Sequence, residues 1–167
     1  MLERALEIIR SYSLVYDAVP MPVSNIRVYG WVRDACSKCI YQGKSWSCPP
    51  AVGSLGEARE RLSEYTNAVF VVFKTSKNRR DLERVVLEIE SDLKEAGFPD
   101  ALGFFVSPCT ACNVCRYPGP CTRPELCRPT GESWGIDLVK ISREVGLPVK
   151  IVRRGNDFRP VTLILLE

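Results

Sequence analysis

Between residues 107 and 130 the chain holds five cysteines, five prolines and no apolar periodicity. Proline fixes φ and removes a backbone donor, so neither a helix nor a central strand runs easily through such a stretch. Loops longer than about 12–15 residues are uncommon inside compact domains unless they carry function. The stretch therefore reads as a functional loop that something other than backbone pairing must hold down. Cys109, Cys112, Cys115, Cys121 and Cys127 are the groups available, and metal binding through them would do it. A second knot, Cys36, Cys39 and Cys48, lies in the run ACSKCIYQGKSWSCPP. The expected organisation is one domain over residues 1–167 with cysteine-rich loops at about 34–53 and 107–130.

The eight cysteines stand in a sequence without a single histidine. That excludes mixed cysteine–histidine zinc sites and every histidine-based acid–base mechanism. The first residues, MLERALEIIRSYSL, carry charges inside an apolar pattern, which predicts an amphipathic helix and not a signal peptide. No apolar run approaches the roughly 18 residues of a membrane span. The expected setting is the cytoplasm, where thiols stay reduced and clustered cysteines read as metal ligands before disulfides. A net charge of +3, with both signs interspersed, argues against a nucleic-acid or membrane surface.

Leu2, Leu6 and Ile9 share one helical face, which predicts a helix over residues 2–16. A strand is expected over 26–32, leading into the first knot, then a helix over 55–65 and a buried strand over 68–73. Leu82, Val85, Val86, Ile89 and Leu93 define the strongest helix, stopped by Gly97 and Pro99. A strand over 101–106 leads into the second knot. A helix over 136–145 and strands over 149–152 and 161–166, joined by a Gly-Asn turn, complete the pattern. Alternating strands and helices argue for an α/β fold with a mixed, mostly parallel sheet, flanking helices and both metal-binding loops following strands. If both of those strands run parallel, the knots meet at the carboxyl ends of the sheet.

Cys109-x2-Cys112-x2-Cys115 is the sharpest motif. Three thiolates at this spacing can wrap one cubane-type cluster, as in the leading part of the bacterial ferredoxin pattern. Here the next cysteine, Cys121, follows after five residues instead of three. Structural zinc sites use two separated C-x2-C pairs, and only Cys36 with Cys39 forms one, so zinc is the alternative metal. Two readings of the three-cysteine knot stay open. Either Cys121 or Cys127 completes it, giving two closed [4Fe-4S] clusters, or one iron stays open to substrate. Cys127 itself is either a ligand or a small buried residue.

The segments CSKCIYQGKSWSCPP, SPCTACNVCRYPGPC and RPTGESWGIDL resemble the family of predicted metal-binding proteins called domain of unknown function 2284. The resemblance runs over nearly the whole chain, with RPT standing where the family more often has RPS. It implies metal binding through Cys36, Cys39, Cys48, Cys109, Cys112, Cys115 and Cys121, with the position of Cys127 variable.

Tyr41, Trp46 and Trp134 are candidates to shield a cluster or to pack the core. Lys38, Lys44, Arg116, Arg123 and Arg128 make both knots locally basic, which suits charge balance, a redox partner protein or solvent exposure. Asp34, Glu132 and Asp137 fit capping and surface roles better than proton transfer. The expected function is electron transfer through one or two [4Fe-4S] clusters, with a redox partner protein or small molecule. An open-iron enzyme for sulfur transfer or reduction, and a zinc-stabilised binding module, are the alternatives.

Overall fold

A computed structural model describes residues 1–74, 78–149 and 159–167. Helix α1 (Leu2–Ser11) is followed by strand β1 (Val15–Pro22), and a short helix α2 (Gly30–Asp34) precedes the first cysteine loop. Helix α3 (Leu55–Ser63), strand β2 (Asn67–Phe73) and helix α4 (Arg79–Glu95) come next. The two-residue strand β3 (Leu102–Gly103) leads into the second loop, after which come α5 (Leu138–Glu144) and β4 (Val161–Leu166).

The sheet has the order β1-β2-β4-β3, and every neighbouring pair is antiparallel. This overturns the expected mostly parallel sheet. β2 and β3 do point the same way through the α4 crossover, but β4 inserts between them and faces both in the opposite sense. The misleading signal was β2 itself, NAVFVVF, whose last six residues are all buried. A run apolar on both faces suggests a parallel strand covered by helices. An antiparallel strand sandwiched between two helical layers produces the same run.

Those layers are explicit in the two cores. On one face Val69, Val71, Phe73, Ile164 and Leu166 pack with Ile9 of α1 and Leu82, Val86, Ile89 and Leu93 of α4. On the other, Phe70, Val72, Leu163 and Leu165 pack with Leu62 of α3, Leu138 and Ile141 of α5, and Trp134.

Two further expectations change. The helix predicted over 2–16 stops at Ser11, and its last residues enter β1. β1 is an edge strand, where Pro20 and Pro22 are tolerated because an edge leaves some donors unneeded. The strand expected over 26–32 does not form. Val28 makes one isolated bridge to Ile136, and Gly30 opens α2. The expected strand at 149–152 and its Gly-Asn turn lie largely outside the described residues.

Candidate metal centre

The second cysteine loop is closed at its neck. Phe105 donates its backbone N–H to the Pro129 carbonyl at 2.9 Å and pairs in parallel with Thr130. β4 fixes the neck from behind, since Thr162 Oγ1 donates to the Phe104 carbonyl at 2.6 Å within the core. From there α4 holds the loop through two buried carboxylates. Glu83 accepts from Thr110 N and Thr110 Oγ1, the latter at 2.8 Å. Glu90 accepts from Arg128 Nη2 at 2.8 Å, from Arg128 Nε, and from Gly103 N at 2.7 Å.

The first loop continues from α2 through a 3-10 turn (Ala35–Lys38). Cys39 N donates to the Cys36 carbonyl at 2.9 Å, Gly43 N to Pro49 O at 2.9 Å, and Arg33 ties the far end to Gly53 O at 2.7 Å. Gly43 sits at φ +67°, a conformation that glycine adopts without strain.

The two loops meet, though not as parallel strands would have brought them together. Ser47 Oγ, fully buried, accepts the Cys109 backbone N–H at 2.8 Å. Trp46 donates Nε1–H to the Gly119 carbonyl at 2.8 Å and packs edge-on against Tyr117, with ring centroids 5.2 Å apart. Trp46 thus clamps one loop onto the other. Trp134 packs edge-on against Phe104 and belongs to the core.

Within the second loop the Cys109 sulfur lies 3.8 Å from the Leu126 carbonyl, and Cys127 is close enough to act on it. Proximity to Cys127 lowers the Cys109 thiol to about 7, while Cys109, burial and the charges of Cys121 and Cys115 push Cys127 up. Cys109, Cys115, Cys121 and Cys127 therefore share one electrostatic field. The Cys112 sulfur lies 3.7 Å from Thr122 Oγ1. In the first loop burial raises Cys36 and Cys48, and the charges of Glu132 and Cys39 raise Cys36 further. Cys48 is buried, Cys39 is exposed, and all eight cysteines are free thiols.

A family model described as predicted metal-binding protein (DUF2284) matches residues 20–166. The chain belongs to that family. No curated protein and no solved structure matches it. For this DUF2284 member the available donor chemistry fits a thiophilic metal: free thiols in two touching loops, with no imidazole in the chain. Among the described residues, no three cysteine or carboxylate side chains are gathered around a single ion position.

Sequence reading missed Ser47, Glu83 and Glu90, the polar anchors of the loops. A signal for two of them was present. Glu83 and Glu90 fall on the same helical stripe as Val86 and Leu93, so each puts a carboxylate on the buried face of α4. Carboxylates are seldom buried unless partnered. Asp137 takes the expected capping role, accepting from Lys140 N at 3.0 Å.

Proposed function

We propose that this DUF2284 member is an iron–sulfur protein that moves electrons through [4Fe-4S] clusters held by its two cysteine loops. The observation that carries the reading is the contact between the loops. Through Ser47 and Trp46, two thiol-rich segments far apart in sequence share one surface. Neighbouring clusters at such a surface would supply one-electron chemistry, their potentials set by burial, hydrogen bonds to sulfur and local charge. The second loop carries five thiols, Cys109, Cys112, Cys115, Cys121 and Cys127, enough in number for one closed cluster. Arg128, anchored on Glu90, places a guanidinium beside Cys127 and Cys109 and offsets thiolate charge. Eight free thiols suit a reducing compartment such as the cytoplasm.

A second reading rests on the first loop. Cys39 acts on both Cys36 and Cys48, which ties the three first-loop thiols to one another. A cluster on Cys36, Cys39 and Cys48 would then keep one iron without a protein thiolate and be open to a small substrate.

Iron and acid-labile sulfide analysis of anaerobically purified protein tests both. About eight irons per chain indicates two clusters and about four indicates one. Colourless protein with zinc and no sulfide rules out the iron readings. Replacing Cys127 by Ala is expected to remove the second-loop cluster's share of the iron; unchanged iron would leave Cys127 a packing residue.

A further inference from the structure

We propose that the cleft between the first cysteine loop and the start of α4 binds a small molecule bearing a carboxylate or phosphate group. The cleft measures about 590 Å³, within the range of small-molecule sites. Tyr41 and Lys44 of the first loop form one wall, and Asn78, Arg79 and Arg80 form another. The segment Cys109–Cys115 lines it as well, so a ligand there lies against the second cysteine loop.

The charge is one-sided. Lys44, Arg79 and Arg80 line the cleft, and no aspartate or glutamate does so among the described residues. Nor does any described carboxylate form a salt bridge with these three cations. Other cations of α4 are paired, Arg84 with Asp81 and Glu88, and Lys94 with Glu90. Glu83 feels both Arg79 and Arg80, but its oxygens are turned onto Thr110. Arg79 stands over the Tyr41 ring at 5.7 Å, and Arg80 Nη2 donates to Asn113 Oδ1 at 3.2 Å. Both guanidiniums are thus held by neutral groups, which orient them without cancelling their charge.

Their position in the helix strengthens the argument. Arg79 and Arg80 open a 17-residue helix, at the end where the backbone dipole already presents positive charge. Two arginines there oppose the local preference, and such conflicts collect at functional sites. Guanidinium pairs recognise carboxylate and phosphate through forked hydrogen bonds. The thiolates of Cys109, Cys112 and Cys115 offer a rival counter-charge. If they alone account for the cations, the cleft takes up no added anion.

The proposal stands on the chain's own cations and needs neither iron nor electron transfer to be right. Calorimetric titration of the anaerobically purified full chain at low ionic strength, with inorganic phosphate and separately with citrate, is the test. Metal and sulfide are assayed on the same samples, which keeps the metal's identity a separate result. Saturable binding of either anion is expected, phosphate or citrate identifying the preferred group. The double variant Arg79→Gln/Arg80→Gln is expected to weaken it at least about tenfold with metal content unchanged. Lys44→Gln, on the opposite wall, is expected to weaken it too, and Arg84→Gln, outside the cleft, to leave it unaltered. Failure of both anions to saturate would overturn the site. So would binding that survives in the double variant and in Lys44→Gln, or that falls equally in Arg84→Gln.

Discussion

Glu90 is the residue on which the second loop's attachment is most concentrated. Its side chain is 2% exposed and meets Arg128, Gly103 N and, at 3.7 Å, Lys94. Neutralising one member of a buried pair leaves the other charge without compensation, at a cost of about 3 kcal/mol or more. Glu90→Gln is therefore expected to lower the unfolding free energy measured in urea by that amount. Adding Arg128→Met should recover part of the loss, and a double variant no better than the single would sink the pairing argument. Tyr12 gives a pH dependence remote from the cysteines. Its hydroxyl donates to Asp92 Oδ2 at 2.6 Å, and burial, that bond and nearby carboxylate charge push it well above its ordinary value. The folded state thus holds this proton more tightly than the unfolded chain. The contribution to stability is complete below about pH 10, the unfolded tyrosine's value, and is lost as pH rises above it. Tyr12→Phe should flatten the alkaline fall in thermal midpoint, and an unchanged slope would contradict the assignment. At this scale the thiols were legible because cysteine spacing is a local property. Ser47 was not, because its role is set by a backbone N–H 62 positions away.

Helix α3 shows how an element follows from its own sequence. Ser54 accepts from Glu57 N at 3.1 Å, and Glu57 returns a bond to Ser54 N, a complete capping box. Ser54→Ala should cost about 1 kcal/mol in chemical denaturation, because one helix-end donor loses its acceptor. No change would mean that water replaces the cap without loss. Elements with this kind of internal signal were legible: α3, the apolar stripe of α4, β2 and β4. β1 was not, because VYDAVPMP carries two prolines and its pairing depends on β2, nearly fifty residues on. The segment before the first knot failed for the opposite reason. Its alternating IRVYGWV fits a strand, yet among the described residues it has one bridging partner, Ile136, and Gly30 turns it into α2.

For the molecule as a whole, the sheet and the thiols are separable. The two cores are built largely from sheet and helix residues, joined by Phe98, Phe104, Phe105 and Ile136 from the connections, and of the cysteines Cys109 alone packs against either of them. Small metal-dependent domains unfold when stripped because metal binding is their folding energy. Here, chelation under reducing conditions should leave the far-UV circular dichroism and the slow amide exchange of β2 and β4 largely intact, while amides of the loop over 107–130 lose protection. Collapse of the whole spectrum on chelation would show the core to be too weak to stand alone. The order of the strands also bears on manufacture. β4, the last described strand, fits between β2 and β3 and pins the loop's neck through Thr162 and Leu163. A ribosome working from the amino end delivers all eight cysteines before that keystone arrives. The thiols therefore emerge on an unfinished platform, and the neck of the second loop closes only once β4 has been made.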